Sequence, residues 1–361
     1  MTILIYLMAL FFSVFFAVLA TKNIVARNKL LKVSFINLLL SLSIITLLIG
    51  LRSEIVGTDT FYYIQEYYAF YDEFNYSNIF LNYLEPGHAF ISYQLNNLEQ
   101  SHTIYLLTFS TLSLFFFFLF YKDKKEYLPW AIFFAFCIGF IFLMMNGIRQ
   151  GLAISILALS IKYVTNRNPL KFLGIVLFAS LFHYSALLML PIYFINHLSK
   201  VNYKLWAVLF LVSVFITPYN LFDSFKNILS FVPKNYSYYL DQIGLDDSKF
   251  SLGFLYHLLL SFLALYLSTK ITYDKFNKNI LNLYFVGIIL MNLTYQLALL
   301  QRFNIYFIFF QIPAMAYITF SLNKKNQTKL VALVTLLYLI GFIYKIIIGD
   351  SDCCPYEFSF N

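Results

Sequence analysis

The stretch LKFLGIVLFASLFHYSALLMLPIYFINH, residues 170–197, decides how the rest of the chain is arranged. It is 28 residues long and almost wholly apolar, whereas about 20 helical residues are enough to cross the hydrocarbon core of a bilayer. The stretch is therefore either one tilted helix or a pair of half-length helices that enters and leaves on one side. The two alternatives place every later loop on opposite sides of the membrane.

The composition is that of a membrane protein. Hydrophobic residues make up 61% of the 361 positions and charged residues only 12%, about half the charged share of soluble domains. Apolar runs long enough to span a bilayer precede Lys22 and recur through the sequence, at 31–51, 103–121, 128–145, 147–164, 203–217, 251–268, 281–300, 303–321 and 330–348. We predict an all-α polytopic integral membrane protein, with one transmembrane domain over 1–361 and two sizeable loops, 52–102 and 218–250.

The basic residues choose between the two topologies. The first apolar run has no positive charge before it and is followed by Lys22 and Arg27, which is the reverse of a signal peptide and puts the N-terminus outside. If 170–197 is a re-entrant hairpin, most of the 25 basic residues fall in cytoplasmic loops and most of the 17 acidic residues fall outside. We expect ten full transmembrane helices plus this hairpin, both termini outside, and His183 near the hairpin tip.

Several function classes are disfavoured by the sequence. The net charge of +8 does not indicate nucleic-acid binding, because the positive charges are few and lie in short loops between helices. Cys137, Cys353 and Cys354 lack metal-binding spacing, and the sequence has no phosphate-binding glycine loop, HExxH or GxSxG motif. We expect no cofactor, metal or nucleic acid.

Three arginines fall on the predicted outer side, where lysines are scarce. Arg52 ends the second span, and Arg149 and Arg302 lie at outer turns. Arginines at span ends often reach to lipid headgroups. A guanidinium group also binds phosphate through two parallel hydrogen bonds, as lysine cannot. We therefore expect a polyanion at the outer interface.

The neighbours of Arg149 strengthen this expectation. Asn146 and Gly147 indicate a cap and a turn before a helix that begins near Ile148, which would direct free backbone amides toward the same place. Gln150 adds an amide donor, although Asn and Gln at a helix start are more often simple caps.

The two predicted outer loops are rich in tyrosine and in acidic residues. Loop 52–102 holds eight tyrosines, among them Tyr62, and seven acidic residues against one base. Loop 218–250 has a similar composition. An aromatic belt at the interface is one explanation, and stacking on sugar rings is the other, which favours a ligand that contains carbohydrate.

If the site makes a glycosidic bond, it requires a general base. Asp59, in the turn GTD after Arg52, is the first candidate, although it is at least equally suited to cap a helix that begins at Thr60. Glu54 and Glu85 are alternatives. His183 is either a hydrogen-bonded structural residue or a participant in proton transfer.

Four segments in this order resemble the EpsG family of Wzy-like polysaccharide polymerases. They are RSEIVGTDTFYY at 52–63, NGIRQGLAIS at 146–155, LFHYSALLMLPIYF at 181–194 and RFNIY at 302–306. The resemblance implies a fold similar to the GT-C type of lipid-dependent glycosyltransferases. It also implies polymerisation of undecaprenyl-pyrophosphate-linked oligosaccharide repeat units at the outer face of the bacterial plasma membrane, with release of undecaprenyl pyrophosphate.

The resemblance also implies roles for individual residues. The expected catalytic residues are Asp59, Arg149, His183 and Arg302, and the expected substrate-binding residues are Arg52, Tyr62, Asn146, Gln150 and Tyr306. The implied partners are the lipid-linked donor and acceptor, membrane lipid, a flippase and a chain-length regulator. The alternatives are an O-antigen-ligase-like transferase, a flippase or transporter of lipid-linked oligosaccharides and, least supported, a membrane O-acyltransferase.

Overall fold

The structure is a computed structural model that describes residues 1–22, 29–73, 85–98, 101–195, 202–216, 251–295 and 298–359. The predicted outer loop 218–250, with its tyrosines and acids, lies outside the described residues. Contacts divide the chain into two compact units, Met1–Leu190 with Met315–Asn361, and Pro191–Ala314. We call them the first and second unit and describe each by itself.

The described residues form helices joined by turns, apart from one isolated bridge between Arg52 and Phe358. The α-helices, in chain order, are α1 (Thr2–Lys22), α2 (Lys29–Gly50), α3 (Thr60–Glu73), α4 (Pro86–Leu98), α5 (His102–Phe120), α6 (Leu128–Ile138), α7 (Phe140–Asn146), α8 (Ile148–Ala158), α9 (Ile161–Thr165), α10 (Pro169–Ser180), α11 (Ile192–Ile195), α12 (Tyr203–Phe215), α13 (Leu252–Ser268), α14 (Lys275–Thr294), α15 (Ala298–Ile308), α16 (Gln311–Lys324) and α17 (Thr328–Ile348). Short 3-10 turns occupy Lys125–Tyr127, Tyr184–Met189 and Asp350–Asp352.

The helical membrane class is confirmed, whereas ten full crossings are not. Among the described residues, five helices are long and apolar enough to span a bilayer, or six if the bent pair α6 and α7 counts as one. Four shorter apolar helical segments accompany them. Some predicted spans are broken, as 147–164 is between α8 and α9, and others, such as α12 and α13, form shorter helices. A continuous helix in lipid pairs its own backbone N–H and C=O groups. At a break some of these groups lose their partners, so the break has to be covered by protein.

Small residues allow the first two helices to pack closely. Ala9, Ser13 and Ala17 are buried on one face of α1 at intervals of four residues, which is the helical spacing that lets membrane helices approach each other. The Ser41 hydroxyl of α2 donates to the Ser13 carbonyl at 2.7 Å.

Two glycines break the helices that lead to Arg149. Gly139 has a φ of 93°, which glycine adopts without steric cost, and α6 and α7 are bent there by 62°. Lys345 Nζ donates to the carbonyl of Ile138 at 2.8 Å, so a cation caps a free carbonyl at the C-terminal end of α6. Gly147 then separates α7 from α8.

The long apolar run 170–197 is broken between α10 and the turn Tyr184–Met189, whereas its entry and return on one side of the membrane stays a prediction. The carbonyl of Leu181 at this break accepts hydrogen bonds from the backbone N–H groups of Gly87 (2.9 Å) and His88 (3.3 Å). These are amides of the first turn of α4, which have no partner inside their own helix. The break and the start of α4 therefore satisfy each other's backbone groups.

The segment after α17 folds back over the turn that follows α2. Backbone hydrogen bonds join Gly57 to Asp352 (2.8 Å), Ser53 to Glu357 (2.9 Å) and Ser359 to Leu51 (2.9 Å). Cys353 is fully buried, and its carbonyl accepts from the Tyr6 hydroxyl at 2.7 Å. This buried position accounts for Cys353, for which the sequence alone offered no role.

The second unit is held by polar contacts between its apolar helices. Asn292 of α14 donates to the Ser213 hydroxyl of α12 at 2.8 Å, and Asn304 of α15 donates to the Gly287 carbonyl at 3.0 Å. A Cβ at Gly287 would lie 3.0 Å from backbone of Phe307, so the two helices touch closely at this glycine.

Candidate functional site

Arg149 lies in the first turn of α8 and faces a group of acidic and aromatic side chains. Its Nη1 is 2.9 Å from Glu85 Oε2 and 3.4 Å from Glu66 Oε1. The guanidinium carbon lies 4.9 Å from the centre of the Tyr63 ring, a distance at which a cation and a ring attract each other. The Arg149 side chain remains 27% exposed, so an anion can reach it.

Glu85 connects Arg149 to His183. Its Oε1 lies 2.5 Å from His183 Nδ1 and also accepts from the Tyr184 backbone N–H at 3.3 Å. A carboxylate on Nδ1 favours the tautomer in which that nitrogen carries the proton, and Nε2 then holds the lone pair. His183 is thereby oriented as a proton acceptor.

The two carboxylates experience opposite electrostatic effects. Burial alone would raise the pKa of Glu85, but the hydrogen bond from His183 and the charge of Arg149 outweigh it and hold the pKa below its ordinary value. The pKa of Glu66 is raised by burial, which Arg149 only partly offsets. Glu85 therefore stays ionised, and Glu66 is the weaker acid of the two.

A second histidine lies beside this group and is kept neutral. Burial lowers the pKa of His88 to about 3, with a smaller contribution from Arg149. Its Nε2 is 2.9 Å from the Tyr105 hydroxyl. His88 is therefore uncharged at neutral pH and contacts Tyr105 beside the group.

Arg52 occupies a different environment from the one expected of a substrate-binding residue. It is fully buried, and its guanidinium donates to the carbonyls of Met145 (2.7 Å), Val56 (3.3 Å) and Ile49 and to the Thr60 hydroxyl. These contacts join the end of α2, the following turn and α7. We interpret Arg52 as a structural residue and leave it out of the functional proposal below.

Asn146 and Gln150, on either side of Arg149, also differ from the simple picture of a cap and a donor. Gly147, rather than Asn146, is the residue before α8, and it supplies no side-chain cap. Asn146 donates to the Ser351 carbonyl at 2.9 Å and accepts from the Asp59 N–H at 3.4 Å. Gln150 is buried. Asn146 therefore ties the C-terminal segment to the turn before α3.

Asp59 and Tyr62 lie at the start of α3. Asp59 is half-buried, and its carbonyl accepts from the Tyr63 N–H, as expected for a residue that precedes a helix. Tyr62 is 69% exposed on the same helix that carries Tyr63 and Glu66. Its exposed ring is compatible with the predicted contact with a sugar, which stays a prediction.

Arg302 and Tyr306 belong to α15 in the second unit. Arg302 is exposed and Tyr306 is buried at 1%. Their predicted roles toward the substrate stay predictions. Within the first unit, Arg149 and His183 both contact Glu85.

Sequence reasoning missed Glu66 and Tyr63 as neighbours of Arg149 and ranked Glu85 below Asp59. A signal was present, because Tyr63 and Glu66 are three residues apart and so share one face of α3. No single segment revealed that this face meets α8. Among the described residues, no group of three or more His, Cys, Asp or Glu side chains is placed to hold a metal ion.

Comparison with known proteins gives one match. The family model described as the EpsG family matches residues 35–358, which is nearly the whole chain. No curated protein and no solved structure gives a significant match. The matched range contains the complete group of Arg149, Glu85, Glu66 and His183. The chain belongs to the EpsG family, a family of Wzy-like polysaccharide polymerases.

Proposed function

We propose that this protein joins oligosaccharide repeat units carried on undecaprenyl pyrophosphate, at the outer face of the bacterial plasma membrane. Family membership supports a polysaccharide polymerase in the general sense. The observation that carries the finer proposal is the contact of Glu85 with both Arg149 and His183. It provides a cation for a leaving diphosphate and an oriented base for an acceptor, side by side.

Arg149 acts on the donor in this proposal. When the bond from the anomeric carbon to the diphosphate oxygen breaks, the bonding electrons leave with the diphosphate. A cation already in place stabilises that charge more in the transition state than in the ground state. The partly exposed guanidinium at the start of α8 is suited to this, since the first amides of the helix also favour an anion.

His183 acts on the acceptor. A hydroxyl group of the second lipid-linked unit attacks the anomeric carbon and gives its proton to Nε2 of His183, while Glu85 holds the ring and stabilises the imidazolium that forms. A new C–O bond replaces the broken one, so no further reactant is needed. This geometry favours His183 over Asp59 as the base.

Arg302 remains a proposed second cation for the diphosphate, with Gln150, Tyr62 and Tyr306 as proposed substrate contacts. The proposed partners are the lipid-linked donor and acceptor, with a flippase that delivers them and a regulator of chain length. These assignments rest on the motif pattern.

The test is purified protein given a synthetic undecaprenyl-pyrophosphate oligosaccharide, with the products read as a ladder. We expect a ladder from the wild type and a rate at least about 10²-fold lower from Arg149→Ala and His183→Ala, by analogy with lost oxyanion donors and general bases. Arg302→Ala tests the second cation in the same way. Lys162→Ala is the matched control, because Lys162 pairs with Asp123 on an exposed surface of the same unit.

Wild-type ladders from Arg149→Ala and His183→Ala would refute the assignment of both residues. A single addition to the acceptor without a ladder would favour a ligase-like transferase. Movement of the lipid-linked sugar across a vesicle membrane without any new bond would favour a flippase.

A further inference from the structure

The guanidinium group proposed to bind the diphosphate already contacts two carboxylates, and these are not equivalent. Glu85 is 11% exposed, lies 2.9 Å from Arg149 and is also held by His183. Glu66 is 37% exposed, lies 3.4 Å from the same Nη1, and makes this contact from the middle of α3. One carboxylate is therefore fixed from two sides, and the other is held loosely at the exposed side.

We propose that Glu66 is a displaceable internal anion, which occupies the diphosphate position on Arg149 in the empty protein and takes up a proton when a lipid-linked diphosphate displaces it. The inference rests on the proposed function, since it requires Arg149 to bind the diphosphate. It assigns to Glu66 a role in setting the affinity of that site, in particular the release of undecaprenyl pyrophosphate after each addition.

The direction of the proton transfer follows from the surrounding charges. Glu66 lies near Arg149 on α8, Glu85 before α4 and Tyr105 on α5. Tyr63 of the same helix lies against Arg149. Arg149 is the cation among these that lowers the pKa of Glu66, and Glu85 raises it. A bound diphosphate neutralises Arg149 and adds negative charge, so the pKa of Glu66 rises further, which favours uptake of a proton.

A role as a simple positioning residue predicts the opposite effect. If Glu66 only held Arg149 in the right orientation, its removal would loosen the guanidinium and weaken diphosphate binding. If Glu66 competes for Arg149, its removal tightens binding, and the product leaves more slowly.

The experiment is calorimetric titration of the purified full-length protein in detergent with farnesyl pyrophosphate, a short-chain lipid diphosphate. Buffers of different ionisation enthalpy report the number of protons taken up. We expect Glu66→Gln to bind about fivefold more tightly at neutral pH, the size of one partly exposed ion pair, and to take up fewer protons than the wild type. Because the diphosphate titrates in every sample, the difference between proteins isolates the contribution of Glu66.

Glu357→Gln is the matched control. Glu357 is exposed, and the contact that ties it to Ser53 uses its backbone carbonyl, so the variant loses the same charge from the same unit. If Glu66→Gln does not fold, Glu66→Asp, which withdraws the carboxylate by one methylene, is expected to bind more tightly in the same assay.

The outcomes separate this inference from the proposed function. Weaker or unchanged binding by Glu66→Gln, or unchanged proton uptake, would overturn the inference and leave the role of Arg149 intact. Equal tightening by Glu357→Gln would also overturn it, because the effect would then be one of overall charge. If Arg149→Ala binds farnesyl pyrophosphate as well as the wild type, the proposed function fails at its first step.

Discussion

Two arginines of the first unit, both expected from the sequence to bind an anion, are held in opposite ways. Arg52 is fully buried and donates to backbone carbonyls from three parts of the chain. Arg149 is 27% exposed and contacts the ionisable side chains of Glu66 and Glu85. A backbone carbonyl has no charge to lose and cannot leave the arginine unless the main chain moves. A carboxylate side chain, in contrast, can take up a proton or be displaced by another anion. The partners of an arginine, more than its place in a motif, therefore indicate whether it is structural or functional.

Of the substitutions that test this comparison, we expect the largest effect on polymerisation from one at Glu85, which contacts both Arg149 and His183. Glu85→Gln keeps the shape but removes the charge that orients and stabilises the histidine. We expect polymerisation to slow about 10²-fold, in the range of general-base effects, with unchanged binding of the acceptor. Initial rates measured as a function of pH are the check, because loss of the Glu85 charge should change the shape of the pH–rate profile, whereas a structural defect would lower the rate equally at all pH values.

Glu85 also predicts a pH dependence of stability. Its pKa is below the ordinary value in the folded chain, so the ionised group stabilises the fold above about pH 4.3, its unfolded pKa, and this contribution is lost as the pH falls through the folded pKa. In Glu85→Gln the loss of stability below about pH 4.3 should be smaller than in the wild type. Equal losses in thermal unfolding would contradict the charged state assigned here.

The next largest effect is expected on stability, when lysine replaces each of the two arginines, Arg52 and Arg149. Lysine keeps the charge but cannot reproduce the fork of donors, so Arg52→Lys leaves buried carbonyls unpaired. We expect it to lower the free energy of unfolding by about 2 kcal/mol, measured by titration with a denaturing detergent. Arg149→Lys should unfold like the wild type but polymerise more slowly. Equal stability of the two variants would remove the distinction between the arginines.

The smallest effect is expected at Gly87, which brings Glu85 to His183. A Cβ there would lie 2.9 Å from Leu181 Cβ and 3.0 Å from its carbonyl oxygen, so Gly87→Ala has to push α4 away from the break after α10. We expect a loss of about 1 kcal/mol in stability, typical of overpacking, and a polymerisation rate reduced several-fold. Gly174→Ala is the matched control, since a Cβ at Gly174 of α10 meets nothing within 4 Å. It should raise stability slightly, because alanine favours a helix over glycine, and leave the rate unchanged.

The sequence predicted the fold well where one segment decides its own structure. Helices α1, α2, α5 and α17 begin and end within a few residues of the predicted apolar runs, because a long apolar segment in lipid has to pair its own backbone groups. The predictions were least accurate where a helix breaks. Composition does not show that Gly139 adopts a left-handed conformation, or that Lys345 caps the end of α6.

Of the residues that meet around Glu85, the sequence singled out two, for a similar reason. His183 and Arg149 were singled out because a polar group in an apolar run, and an arginine at a helix start, are unusual in themselves. Glu66 and Glu85 look like other acids of a tyrosine-rich loop in the sequence. Arg52 looks like Arg149 there, since both end or begin an apolar run. Contacts with distant segments distinguish them.

The sequence by itself determined that this chain is a helical membrane protein of the EpsG family, because hydrophobicity, charge bias and motif order are properties of local stretches. Only the tertiary structure decided which charged residues meet. Arg149, Glu66, Glu85 and His183 come from α8, α3 and the two turns before α4 and after α10. Side chains so far apart in the chain acquire common electrostatics only when helix packing, the bend at Gly139 and the close approach at Gly87 place them within a few ångströms of one another.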